Sequence, residues 1–554
     1  MERSVNEAAA GSPAPTSGSP AFAPFRNPAF AVLWGATVVS NVGTWMNDVA
    51  AGWLMTTLAS SPLLVALVQT ATTLPIFLFA LPAGALADIV DRRKLLIAAQ
   101  VSLAIIIVLL GLLVLFELMT PPLLLLFIFL AGSGAALTVP AWQAIVPRLV
   151  PRQDLQAAIA LNSVGINISR AIGPAVGGFI IAAFGIAWPF LLNALSFLGI
   201  IAALIWWRQQ PSVGRHLPAE RFVSAIRAGL RYVRHSASLR ATLMRAVAFF
   251  VFASAYWALL PLIVREVLAG GPQLYGILLG CIGAGAVGGA FLLPRLRAAL
   301  GADRLVALGT IGTALVLLIF ALVPDQRIAA AASLLAGISW IAVLSSLNVS
   351  AQLSLPDWVR ARGLAVFVTV FFGAMSGGSL LWGQTASLLG IPATLAIAAS
   401  GAVLTIPLTW RWKLQLGAQM DLSPSMHWPA PAVAGEIADD RGPVIVTVEY
   451  RIDPAERKAF LAAMADLSAV RRRDGAFAWG MFEDAANPAR YIEHFMVESW
   501  LEHLRQHERV THADRVLQEH VRRFHRGDKP PEITHLLAAH PDDVMLLSSS
   551  HPEP

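Results

Sequence analysis

GALADIVDRRK, Gly84 to Lys94, is the stretch from which the fold is read. It lies between two long apolar runs and holds two Asp, three basic side chains and a leading Gly within eleven residues. Hydrocarbon does not tolerate charge at that density, so the stretch reads as a loop at a membrane face. A loop this short makes its two flanking helices neighbours.

The remainder of the chain agrees. Of 554 residues, 56% are hydrophobic and 13% charged, with a mean hydropathy of +0.65; soluble domains carry about 25% charged residues. The composition excludes an ordinary soluble protein and points to a polytopic membrane protein. Its single cysteine, Cys281, sits inside an apolar run, which rules out an intramolecular disulfide. Residues 1–24 are rich in Ala, Ser, Pro and Gly and lack the apolar core of a signal peptide, so they read as a disordered tail.

At about twenty apolar residues per crossing, candidate spans fall at roughly 30–57, 62–87, 93–118, 122–146, 157–183 and 188–207, then at 242–264, 273–294, 304–323, 328–353, 363–388 and 391–412. That gives six plus six. With both termini cytoplasmic, the inside loops carry seventeen Arg and Lys and the outside loops only Arg265 and Arg327. The positive-inside rule then sets the orientation. Between the halves, AERFVSAIRAGLRYVRHS repeats its apolar residues at helical spacing beside Arg221, Arg227, Arg231 and Arg234. It reads as an amphipathic helix on the inner membrane surface, the other reading being a partner-binding helix.

The halves repeat weakly. VPRLVPRQDLQAA before the fifth span has a counterpart in SLPDWVRARGLAV before the eleventh, and GALADIVDRRK has one in LLPRLRAALGADRL. After Trp412 the character changes. Pro424, Pro429, Pro431 and Gly435 mark a linker, beyond which VIVTVEYRI, AFAWGMFED, RYIEHFMVES and PEITHLLA read as strands. PAERKAFLAAMADLSAVRRR, with Asp453 suited to its N-cap, and SWLEHLRQHERVTHADRVLQEHVRRFH read as the two helices between them. The domain plan is a disordered cytoplasmic tail (1–27), a six-helix half (28–207), a cytoplasmic connection (208–241), a second half (242–412), a linker (413–442), a cytoplasmic domain (443–540) and a tail (541–554).

Gly84, Leu86, Asp88, Arg92 and Arg93 fall on a pattern, Gly-x-Leu-x-x-Asp followed by a basic cluster, that resembles the loop between helices two and three of the major facilitator superfamily; Asp91 stands where that motif has Gly. Together with SNVGTWMNDVAAGWLM and SPLLVALVQTATTLPIFLFALPAGALADIVDRR, the resemblance is to its transmembrane secretion effector branch, the enterobactin-exporter-like transporters. It implies twelve helices in two six-helix halves around a midplane site, and a gating role for Gly84, Asp88, Arg92 and Arg93, with Asp154, Arg148 and Arg360 as partners. The βαββαβ order after residue 443 resembles a ferredoxin-like fold and the small antibiotic-biosynthesis-monooxygenase-like domains.

Transport chemistry is sought in polar groups held within spans. Asn41, Thr44 and Asp48 share one face of the first helix, with Asn47 adjacent. A carboxylate shielded from water holds a proton more readily than an exposed one, which is the property proton antiport requires. Arg170, midway along the fifth span, keeps its charge and must face a cavity, a carboxylate or an anionic substrate. Asp48 and Arg170 are therefore the proton-coupling candidates. Gly173, Pro174, Gly177 and Gly178 resemble the antiporter motif of the superfamily's exporters, while the second half has only FGAMSGG. Asn41, Gln69, Gln143, Asn167, Asn348 and Gln352 are candidate cavity amides, and Trp142, Trp257 and Trp340 candidate aromatics.

The cytoplasmic domain offers His503 and His507 four apart on one helix, a spacing able to hold a metal but unaccompanied by Cys. An enzyme reading finds only Trp479, Phe482 and His494 for a pocket. No metal or cofactor is assigned. The expectation is an all-α polytopic membrane protein of twelve helices with a C-terminal α+β ferredoxin-like domain. It is a non-enzymatic secondary exporter in the inner membrane, moving a small amphiphilic compound (siderophore, drug or secondary metabolite) by proton antiport. Its partners are that solute, protons and the bilayer, with dimerisation through the C-terminal domain and no nucleic acid. A fused transporter-oxygenase and a non-transporting scaffold are the alternatives.

Overall fold

The computed structural model describes residues 22–207, 222–414, 421–428, 431, 433, 435, 437–438 and 440–539. Among them, eleven helices are long and apolar enough to cross a membrane. The first half comprises α1 (Pro28–Leu58), α2 (Pro62–Ile89), α3 (Arg92–Leu115), α4 (Pro121–Leu149), α5 (Leu155–Phe184) and α6 (Trp188–Trp206). After the shorter α7 (Phe222–His235) come α8 (Ala237–Leu262), α9 (Pro272–Leu322), α10 (Gln326–Leu353), α11 (Arg360–Leu389) and α12 (Ile391–Thr409). Their starts follow from local chemistry. Pro28, Pro62, Pro121 and Pro272 open helices, where a missing N–H costs nothing. Asn27 accepts from Ala29 N at 3.0 Å, and Asp325 from Arg327 N and Ile328 N at 2.9 Å.

The 51 residues of α9 would extend about 76 Å at about 1.5 Å each, more than twice a hydrocarbon core of about 30 Å. Gly301, at φ +72° and ψ 168°, breaks the helix between the expected eighth and ninth spans. The expected loop is also shorter than the sequence suggests. Helix α2 runs through Gly84 and Asp88 to Ile89, leaving Val90 and Asp91 as the connection. Asp91 caps α3 by accepting from Lys94 N at 3.0 Å, so the residue that departs from the motif does a helix-starting job of its own.

Packing follows the duplication. Helix α1 lies against α5 and α6, and α8 likewise against α11 and α12. Both α5 and α11 end at a glycine with positive φ, Gly185 (+100°) and Gly390 (+80°), where a side chain would strain the backbone. The halves meet where α5 crosses α9 and α2 crosses α11.

Helix α7 confirms the helical spacing but not the predicted surroundings. It packs on α8 and α11 and, on its other side, on helix α13 (Arg457–Asp474) of the C-terminal domain. Tyr232 is buried there and donates to Ser354 O at 2.9 Å. The helix therefore has a partner within its own chain. That domain is a four-stranded antiparallel sheet, β1 (Val444–Arg451), β2 (Ala478–Asp484), β3 (Asn487–Val497) and β4 (Glu532–Leu537), in the order β2-β3-β1-β4. The long second helix of the sequence reading is two, α14 (Trp500–Arg509) and α15 (His512–Arg522). Thr511 restarts the chain through a capping box with Asp514.

Two segments expected to be loose are folded in part. Phe25 packs edge-on against Trp34 with ring centroids 5.0 Å apart. Within the linker, Ser425 N donates to Val510 O at 2.9 Å and Trp428 Nε1 to Gln518 Oε1 at 2.9 Å, which fastens 421–428 to the domain. The expected tail at 541–554 and the start of the N-terminal tail, 1–21, lie outside the described residues.

Candidate transport site

A cavity of about 190 Å³ lies inside the bundle, walled by both halves. The first half contributes Trp45, Asp48 and Gly52 from α1, Gln69, Thr72 and Thr73 from α2 and Arg170 from α5; the second contributes Trp257 from α8, Tyr275 from α9, Trp340 from α10 and Phe371 and Phe372 from α11. Aromatic rings dominate the second half's share. Trp257 and Trp340 meet at 5.4 Å between centroids, and Trp340 and Phe371 at 6.1 Å, edge-to-face packing that fixes the wall.

Asp48 and Arg170, both half-buried, line this one cavity, yet no ion pair joins them among the described residues. The Arg170 guanidinium lies over the Trp45 ring, Cζ 5.5 Å from its centroid, and its buried Nε has no hydrogen-bond partner. The threonines of α2 are already spent, Thr72 on Val68 O at 2.9 Å and Thr73 on Gln69 O at 2.8 Å.

Of the six amides expected in the cavity, Gln69 is in its wall and five are not. Asn167 donates back to Ser163 O at 2.8 Å, Gln352 donates to Asn348 Oδ1 at 2.7 Å, Gln143 is exposed and Asn41 lies about two turns from Asp48. Trp257 and Trp340 are in the wall; Trp142 instead donates to Asn162 Oδ1 at 3.3 Å. Sequence reading missed Trp45, Tyr275, Phe371 and Phe372. Trp45 could have been found, since it lies three residues before Asp48 on a helix and so shares its face. The others depend on how the second half folds against the first.

The GPAVGG stretch holds α5 against two helices at once. A Cβ added at Gly173 would lie 2.6 Å from Trp45 Cβ, and one at Gly177 would lie 2.9 Å from Met46 Cα, both on α1. On the other side, a Cβ at Gly178 would lie 3.2 Å from Gly276 Cα of α9. Nearby, Leu63 N donates to the Ser387 hydroxyl at 3.1 Å, so the halves interlock at the end bearing the α1–α2 connection.

At the opposite end, Arg93 donates to Leu204 O at 2.7 Å and Ile205 O at 2.8 Å, closing the last carbonyls of α6. Arg360 pairs with Asp357 at 2.6 Å. In the second half's counterpart of this loop, Asp303 accepts from Arg245 of α8 and from Leu414 N. Residues 19–542 match the family model described as transmembrane secretion effector. The chain belongs to that family.

Relatives of this transporter include the staphyloferrin A transporter of Staphylococcus aureus, 25% identical over 364 residues, which are 64% of this chain and 89% of that one. The enterobactin exporter EntS of Escherichia coli O1:K1 is 27% identical over 327 residues, 58% of this chain and 76% of that one. Among solved structures, a POT family transporter in complex with a thioalcohol-conjugated peptide superposes with a TM-score of 0.58 at 14% identity, covering 70% of this chain and 96% of that one. The inward-facing bacterial homologue of the lysosomal transporter Spinster superposes at 0.51 with 17% identity, covering 70% and 95%. The protein is a multi-pass membrane transporter of the major facilitator type, homologous to siderophore exporters.

In the C-terminal domain, Trp479, Phe482 and His494, the candidates available to the alternative enzyme reading, do not come together in one pocket. Trp479 lies on the helix-covered face and donates to Glu493 Oε1 at 3.0 Å, whereas Phe482 and His494 stack at 5.0 Å on the other face. His503 and His507 do meet, Nε2 to Nε2 at 3.3 Å, with His535 4.7 Å from His503 between ring centroids. Among the described residues no group of three or more His, Cys, Asp and Glu is arranged to hold a metal.

Proposed function

We propose that this transporter is a proton-driven exporter of a small amphiphilic compound of the siderophore, drug or secondary-metabolite kind, with both termini on the cytoplasmic side of the inner membrane. One observation carries the reading: an aromatic cavity shared by both halves contains a carboxyl group, Asp48, and a cation, Arg170, that are not paired with each other. Ionisable groups left unpaired inside a membrane protein mark substrate and proton paths. The relatives' names, one a staphyloferrin A transporter and one an enterobactin exporter, support a siderophore-like cargo and outward movement.

In this reading Asp48 takes up and releases the coupled proton. The GPAVGG residues Gly173, Pro174, Gly177 and Gly178 form the tight crossing at which the two halves close on each other and must part during transport. Gly84, Asp88, Arg92 and Arg93 form the inner gate, Arg93 by anchoring it to α6. The break at Gly301 makes α9 two spans and the total twelve. The sheet order β2-β3-β1-β4 with helices on one face supports a ferredoxin-like domain. Its open face, with Phe482 59% and Leu536 50% exposed, is assigned to dimerisation with a second copy.

The test is cargo-induced proton movement in proteoliposomes carrying wild type or Asp48→Asn. A flux driven by a siderophore or hydrophobic drug that disappears in the variant establishes antiport through Asp48. Flux that survives moves the coupling role elsewhere, and no flux with any cargo defeats the exporter reading.

A further inference from the structure

Two donor-only groups face the cavity without an acceptor. Arginine and tryptophan side chains donate hydrogen bonds and accept none, and both the Arg170 Nε and the Trp257 Nε1 are buried with no partner. Behind them the Tyr256 hydroxyl is also buried and unpartnered. It neighbours Trp257, with ring centroids 5.6 Å apart, and lies within electrostatic range of Arg170. A buried donor left unsatisfied is destabilising, more so when it is charged. The hydroxyl could accept from one neighbour but would still have its own proton to place, so only an acceptor from outside the group relieves all three. Asp48, the wall's other ionisable group, is not within ion-pair distance of Arg170, and the guanidinium stays available.

We propose that Arg170 and Trp257, with Tyr256 packed behind them, form an oxyanion-recognition site that selects a cargo bearing a carboxylate or ionised phenol beside an aromatic body. The guanidinium supplies a planar fork for the oxyanion. Trp45, Trp340, Phe371 and Phe372 supply ring faces for the remainder of the molecule. Because Arg170 belongs to the first half and Trp257 and Tyr256 to the second, one bound oxyanion ties the halves together. The inference deepens the exporter reading by naming its substrate class, and rests on this cavity being the cargo site.

The test is calorimetric binding of 1-naphthoate and its neutral isostere 1-naphthamide to the full-length protein in detergent micelles. The acid is expected to bind at least tenfold more tightly than the amide. Arg170→Gln erases that preference while keeping the amide's affinity, which also shows that the variant is folded, and Trp257→Phe reduces it several-fold. Equal affinities in the wild type, no binding of either probe at millimolar concentration, or a preference that survives in Arg170→Gln overturns the proposal. Discrimination without transport in proteoliposomes would leave the site standing and remove the exporter reading. Transport without discrimination would do the reverse.

Discussion

The cavity and the interior of the C-terminal domain both bury charge, but they treat it in opposite ways. In the domain, buried arginines meet carboxylates. Arg471 reaches Glu493 at 3.1 Å, with Tyr450 and Trp479 also donating to that carboxylate at 3.3 and 3.0 Å. Arg473 is shared by Asp474 at 2.7 Å and Asp514 at 2.6 Å. Burial raises the carboxyl of Asp474 above its ordinary range; for Asp514 burial pushes the same way, but Arg473 and Thr511 outweigh it and hold the group low. In the membrane, Arg245 is answered by Asp303, whereas Arg170 and Asp48 are not answered by each other. Paired charge specifies a structure, and in the proposed function the unpaired charge of the cavity serves a ligand or a proton.

The largest effect should come from breaking the domain's pair. Glu493→Gln leaves Arg471 buried without its countercharge and is expected to cost about 3–5 kcal/mol, read as a lower unfolding temperature of the domain within the full-length protein. Arg471→Met with Glu493→Leu should recover most of the loss. A double variant as unstable as the single one would remove the pairing argument.

Acid is the next probe. Burial lowers His503 to about 3 and His507 to about 4, against about 6.5 when unfolded. The unfolded chain thus binds more protons between those values, so the domain's stability should fall as pH drops from 7 towards 4 and be constant above about 7. Replacing both residues by Phe should flatten that slope in a thermal melt.

Docking of the domain is a smaller term. Arg509 lies over Trp358 at 4.5 Å, and Tyr232 meets the same indole at 5.9 Å. Trp358→Ala is expected to weaken attachment by about 1–2 kcal/mol, seen as faster proteolysis of the 413–442 segment without a change in the bundle's own melting. Smallest, and opposite in sign to the first, is Arg170→Gln. Removing an unanswered buried cation should leave thermal stability unchanged or slightly raised; a large loss would mean that Arg170 is a structural residue after all.

Much of this was legible in sequence, because spans, loops and the domain's strands follow from local periodicity. GALADIVDRRK announced a short helix connection, although propensity carried α2 on to Ile89. The cavity was legible only in its charges. Asp48 and Arg170 stand out because ionisable residues are rare in spans, and Gln69 was one of several amides with equal claims. Asn348 and Gln352 look alike in sequence to Gln69, yet they bond to each other, an outcome set by which way α10 is turned. Tyr256 and Tyr275 carry no polar signal in an apolar run, and only the packing of the second half against the first brings Tyr256 near Arg170 and Tyr275 beside Gly52 and Asp48. The division of residues 499–525 at Val510 was written in Thr511 and Asp514, a capping box that the helical reading ran through.

The seat of the C-terminal domain has a practical consequence for imaging. Arg231 of α7 pairs with Glu502 at 3.1 Å, Arg473 lies over Tyr232 of α7 at 5.6 Å and Arg509 over Trp358, so the domain's helices are fastened at three points to α7 and to the residue run before α11. A transporter enclosed in a detergent belt offers an electron microscope little contrast by which to align particles. Here residues 440–539 stand as a native fiducial, held by contacts to α7 and to Trp358 beside the second half. Images sorted by the angle between that fiducial and the opposite half of the bundle would rank the particles along the opening coordinate without any added antibody.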